Sequence, residues 1–188
     1  MNKVILSLLS ALTVLFMHIG LAGQAEAAWV AVVPIEINEA KVERASDFNS
    51  YYWDIMIEKF PYPDYELIDD DKVLSVIPEK GLPSLDKATL MNLSEKIDAE
   101  IVVAMRLDEI TEEASPSFNE PKLDCFMKGE FASFNRLTGK YYKNKLYYKE
   151  TIEEVLTLKN DWQQNIFASE LTRCLNRTLE DQKAKGKI

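Results

Sequence analysis

Residues 29–37 read WVAVVPIEI, a nearly unbroken apolar run rich in β-branched residues. A run with apolar contacts on both faces predicts a strand buried in the middle of a sheet. Helical spacing follows it. Phe48, Tyr52, Ile55, Met56 and Phe60 fall on one helix face behind a cap at Ser46 or Asp47, and the sequence PYPD at 61–64 stops the helix. Residues 65–68 read as a short strand. Asp69, Asp70 and Asp71 then open a second helix with Val73, Leu74 and Ile77 on its apolar side, ending at Pro78. Three acids in a row could suggest a metal, but at a helix start they serve as cap and as favourable charges.

Outward from there, Gly81-Leu82-Pro83-Ser84 is a turn, and 86–97 is a helix with Leu90, Leu93 and Ile97 on one face. Residues 101–110 form a strand, apolar on both faces at first and alternating by Arg106 and Asp108. A polar loop over 111–121 contains Pro116 and Pro121. Long strands over 123–135 and 140–155 are joined by RLTG, with Gly139 in the left-handed position of a three-residue hairpin loop. Asn160 and Gln163 offer a capping-box variant for a last helix. Its stripe is Trp162, Ile166, Leu171, Cys174, Leu175 and Leu179. The order β-α-β-α-α-β-β-β-α predicts an α/β fold of the α+β kind, with a mixed sheet of about five strands, a long late hairpin and a C-terminal helix. A single domain is expected over 28–182, with a frayed tail at 183–188.

Residues 1–27 read as a secretory signal peptide: Lys3, an apolar run over 4–21, then Ala25-Glu26-Ala27. Cleavage is expected before Ala28, leaving a periplasmic or secreted chain without an integral membrane span. Cleavage would also remove His18, the only histidine. Without His there is no Ser-His or Cys-His nucleophile pair and no His-ligated zinc. G-x-S-x-G, G-x-G-x-x-G and G-x-x-x-x-G-K are all missing. No cofactor and no metal are indicated, and the chain does not read as an enzyme. Of 188 residues, 22 are Lys or Arg and 31 are Asp or Glu, a formal charge of −9 that argues against nucleic acid. Hydrophobic residues make up 47%, enough for a packed core. Cys125 lies in phase with Leu123 and Met127, and Cys174 lies between Leu171 and Leu175, so both should face one strand–helix interface. In an oxidising compartment this pair is expected as a disulfide, the other reading being two buried thiols.

Three stretches carry a resemblance to the small α/β domains of bacterial envelope assembly proteins. VAVVPI (30–35) is similar to their opening strand, and YELIDDDKVLSV (65–76) to their strand–helix step. IDAEIVVAMRL (97–107) with NRLTGK (135–140) is similar to their later strand and Thr-Gly hairpin. The family includes the amino-terminal domain of the Tol translocation protein, the curli-secretion lipoprotein and the lipoprotein activators of peptidoglycan synthases. Departing from that pattern, no lipidation Cys and no second domain such as a propeller are expected from these residues. The resemblance implies a non-catalytic scaffold or adaptor in the cell envelope, and it transfers no functional residues.

Charge is unevenly placed. Arg136, Lys140, Lys143, Lys145 and Lys149 occur with no acid between them, whereas Asp108, Glu109, Glu112, Glu113 and Glu120 occur with no base. Strand alternation puts Tyr141, Lys143, Lys145, Tyr147 and Lys149 on one face, and Tyr142, Leu146 and Tyr148 on the other, core-facing side. The Tyr/Lys face suits an anionic polymer or an acidic protein partner, or is an edge strand guarded by lysines. Glu112, Glu113 and Glu120 offer oxygen ligands, but in no EF-hand spacing. The leading expectation is a non-catalytic extracytoplasmic binding or assembly module of the bacterial cell envelope that works by protein–protein contact. The alternatives are a carboxylate-dependent hydrolase of cell-wall glycan and a structural subunit that self-associates.

Overall fold

In the computed structural model, which describes residues 27–115, 122–152 and 162–183, Pro34 divides the opening apolar run. The first piece is β1 (Ala28–Val32) and the second is β2 (Glu36–Ile37). Proline has no N–H to give the ladder, so the single expected strand becomes two, both parallel to β4 (Ile101–Ser115). With β3 (Tyr65–Leu67), β5 (Lys122–Asn135) and β6 (Lys140–Ile152), the described residues form a six-stranded mixed sheet in the order β3-β1-β4-β5-β6, with β2 beside β4. β1 pairs β3 and β4 in parallel, whereas β4, β5 and β6 form an antiparallel meander.

Helices cover both faces, unequally. On one lie α1 (Ala45–Lys59) and α4 (Trp162–Lys183), which bring Phe48, Tyr52, Met56, Phe167, Leu171 and Leu175 onto Val30, Val103, Met105, Met127, Phe131 and Leu146. Phe48 meets Phe167 edge to face at 5.4 Å. On the other lie α2 (Asp70–Leu74) and α3 (Lys87–Ile97), short elements whose Val73, Leu90, Leu93 and Ile97 cover Ala31, Val102, Ala104, Ala132 and Phe134. Their caps follow from the acids read in the sequence. Asp69 accepts from the Asp71 N–H at 2.9 Å and Asp86 from the Thr89 N–H at 2.8 Å. α1 differs: its cap is Arg44 in the left-handed conformation, φ 52°, so Ser46 and Asp47 lie in its first turn rather than capping it.

Two further expectations change. The polar loop begins later than residue 111, because Thr111 to Ser115 pair with Phe126 to Lys122 and extend β4. The hairpin turn has four residues, Asn135 pairing with Lys140, and the Asn135 side chain accepts from the Thr138 N–H at 3.1 Å. Gly139 takes φ 68° as expected. The ends of the predicted last strand (153–155) and of the loop (116–121), together with Asn160, lie outside the described residues.

The disulfide is not formed, and Cys125 and Cys174 are both buried free thiols. They face the same side of the sheet but at different levels. Cys125 is paired with Glu112, whose carboxylate accepts from the indole of Trp162 at the start of α4. Cys174 lies about twelve residues further along that helix, roughly 18 Å at the helical rise. Arg177, one turn on, reaches Asn144, which is paired with Phe131. A disulfide needs Cα atoms within about 7 Å.

A bulge in β4 decides the lower half of the hairpin. The register with β5 shifts between Leu107 and Glu109. Before it, Ile101, Val103, Met105 and Leu107 face α1 and α4; after it, Ile110 joins the same core. Gly129 sits opposite Leu107, and a Cβ there would lie 2.6 Å from the Arg106 carbonyl oxygen. The close approach at the bulge therefore requires a residue with no side chain.

Candidate partner interface on the long hairpin

β6 is the last strand of the sheet order, and the five residues picked out on it occupy one face. That face is not uniformly turned to solvent. At the turn end, Tyr141 is half-buried against the core of α2 and α3 and its hydroxyl donates to the Leu85 carbonyl at 2.5 Å. Burial raises the Tyr141 phenol above its ordinary value, with Lys143 pulling the other way. Tyr141 is thus a core residue of the second face, and its expected place among the outward residues is corrected. The alternation is right, but the sheet has a core on each side at this level.

Further from the turn no described helix covers this face. Lys143 pairs with Glu130 at 3.0 Å and Lys145 stands opposite Glu130. Tyr147 is 62% exposed and meets Phe126 edge to face at 5.6 Å. Lys128 is opposite Tyr147, and Lys149 is opposite Phe126. The result is an aromatic pair ringed by Lys128, Lys145 and Lys149, all exposed. Across the sheet the sign reverses: Glu109 pairs with Lys128, and Glu113 with Asp124. Phe126 and Lys128 escape a reading of single strands. They become visible once the Thr-Gly turn sets the pairing, because each step away from Asn135 and Lys140 then names its partner.

The opposite face of β6 is occupied. Leu146 is buried, and Tyr148 lies against Trp162 with ring centroids 5.9 Å apart. Burial first, then its hydrogen bond to Glu150, pushes the Tyr148 phenol up to about 12. The acids that open the polar loop are partly engaged as well. Glu112 accepts from Trp162 Nε1 and from Gln163 Nε2 at 2.6 Å, which ties β4 to the start of α4. Glu39, Glu43, Glu112 and Glu113 line a cleft of about 420 Å3 with Lys41 and Gln163. Among the described residues no group of three acids or cysteines is arranged to hold a metal ion. Glu120 lies outside them.

A second polar cluster is structural. Arg106 Nε and Nη2 donate to Glu36 Oε2 at 2.9 and 2.7 Å, and Nη2 also to the Leu82 carbonyl at 3.1 Å. The Leu82 N–H donates to Glu36 Oε1 at 2.5 Å. This network pins the turn that begins at Gly81 against β2 and β4, where water reaches both partners only in part.

No family model and no curated protein matches the chain. Among solved structures it is similar to a homolog of the neuraminyllactose-binding hemagglutinin from Helicobacter pylori, at 16% identity and TM-score 0.46, over 89% of this chain and 95% of that one. It is also similar to the lipoprotein GNA1162 from Neisseria meningitidis, at 9% identity and TM-score 0.42, over 81% and 99%. The LpoB C-terminal domain from Salmonella enterica is similar at 12% identity and TM-score 0.38, over 69% and 87%. The likeness is one of fold, and the functional reading rests on this chain's own surface.

Proposed function

We propose that this chain is an extracytoplasmic binding or assembly module of the bacterial cell envelope, acting without catalysis through protein–protein contact on the open face of the hairpin. The observation that carries the reading is the Tyr147–Phe126 pair ringed by Lys128, Lys145 and Lys149 on a face that no described helix covers. An exposed aromatic held by a second ring and surrounded by cations is the anatomy of an interface anchor. The signal-like start at 1–27 supports the address, with cleavage before Ala28. No helix among the described residues is long and apolar enough to cross a membrane.

The test is a Lys145→Glu, Tyr147→Ala double variant expressed in its native envelope and crosslinked there. Capture of the partner should fall severalfold, and wild-type capture should weaken in salt, because exposed charges are screened beyond about 8–10 Å near physiological ionic strength. The melting temperature should hardly move. Unchanged capture with unchanged stability would overturn the reading and leave the lysines as guards of an edge.

A further inference from the structure

Resting on that reading, we infer that the partner is an extended acidic segment, with acids at alternate positions, that adds to the outer edge of β6 as a further strand. β6 lies at the end of the sheet, and among the described residues nothing pairs with its outer side. Its backbone N–H and C=O groups on that side form a template for another strand. The opposite edge differs: β3 is three residues long, too short to be much of a template.

Most devices that blunt an edge are missing from β6. Its pairing with β5 runs unbroken from Leu123↔Ile152 to Asn135↔Lys140, without a bulge, and no proline interrupts residues 140–152. The remaining device is charge, and on the open face of β6 it is all of one sign. Lys143, Lys145 and Lys149 all lie on the open face, and among the described residues Lys145 and Lys149 have no ion pair. A strand seated beside β6 places its same-side side chains about 5 Å from these lysines. Acids at every second position would meet them. On the other side lie Asn144, which accepts from Arg177, Tyr148 over Trp162 and, at the two ends, Lys140 and Glu150 of opposite sign, so the intervening side chains need carry no net charge.

The same geometry disfavours a second copy. Two β6 edges pairing antiparallel with their helices on the same side would set these lysines against one another, and like charges directly opposite are destabilising. The edge thus rejects its own kind and accepts its electrostatic complement.

The experiment uses the mature chain and a fluorescent peptide of about ten residues in which Glu alternates with Val and Thr, matched to the length of the edge. Binding should be saturable, should weaken as salt is raised and should slow hydrogen exchange of β6 amides that exchange freely without peptide. Three changes should each weaken it at least about tenfold: N-methylation of the peptide backbone along one edge, Lys in place of Glu in the peptide, and Lys145→Glu with Lys149→Glu in the protein. Absence of binding overturns the inference. So does equal binding of the methylated peptide without added protection; native capture that still depends on Lys145 and Tyr147 would then leave the proposed function standing. A protein mass that doubles with concentration, with β6 amides protected in the dimer, would make a second copy the occupant and overturn the acidic segment.

Discussion

Gly81 has φ 81°, and a Cβ there would lie 2.5 Å from Glu36 Oε1, the atom that accepts from the Leu82 N–H. An alanine would meet the conformational penalty and the carboxylate together, so Gly81→Ala should lower unfolding free energy by about 2 kcal/mol. A urea midpoint equal to wild type would refute this. The cysteines give a second residue-level test. Burial foremost, then the charges of Glu112, Glu150 and Asp124, raises the Cys125 thiol from 9.0 to about 11, and burial raises Cys174 too. Thiolate is the reactive form, so neither should alkylate at neutral pH in the native protein, and both should once it is unfolded. Below pH 9 Cys125 is protonated in both states. Between about 9 and 11 the unfolded chain loses that proton and the native one keeps it, so stability should fall as pH rises through this window. Rapid native labelling, or peptide mapping that finds a Cys125–Cys174 bridge in protein from its own compartment, would contradict the register described here. The phase of Cys125 and Cys174 was legible in the sequence, but their levels along the hairpin were not, since these depend on where α4 docks.

Along β6 the period of two separates stability from surface. Leu146 is buried beneath α4, whereas Tyr147 beside it is open. Leu146→Ala should cost about 2–5 kcal/mol, and Lys145→Glu with Tyr147→Ala no more than about 0.5 each. Chemical denaturation of the two variants decides this; equal losses would mean that the open face is covered. In β4 the same period misleads. Unbroken alternation from Met105 and Leu107 would turn Glu109, Thr111 and Glu113 toward α4. The bulge instead puts Ile110 in that core and gives Glu112 to Trp162. Gly129 was the available sign, because a lone glycine within a strand pattern marks a bulge or a close backbone approach. Locating the bulge on the partner strand still needs the pairing.

At the scale of the molecule, the sheet begins at its first strand residue. The Ala28 N–H donates to the Asp64 carbonyl at 3.0 Å, and Ala28 is buried beside β3. Cleavage before Ala28 would leave its amino group as the donor in that bond. Mass spectrometry of the native protein should therefore find a chain starting at Ala28, and a shorter one would lose the donor; an intact Met1 would contradict the prediction. The order of the helices and long strands, the buried opening strand, the cap in the Asp69–Asp71 run and the Thr-Gly hairpin were all determined by the sequence alone. Each is a matter of residues a few positions apart, where periodicity, capping and turn chemistry act. Only the tertiary structure decided that Pro34 hands the strand from β1 to β2, that the two cysteines stand at different levels, and that Tyr141 is covered while Tyr147 is open. The reason is lateral reach. α2 and α3 are too short to cover the second face of a meander whose strands run 13 to 15 residues, and how far a helix layer extends over a distant strand is not written in either segment.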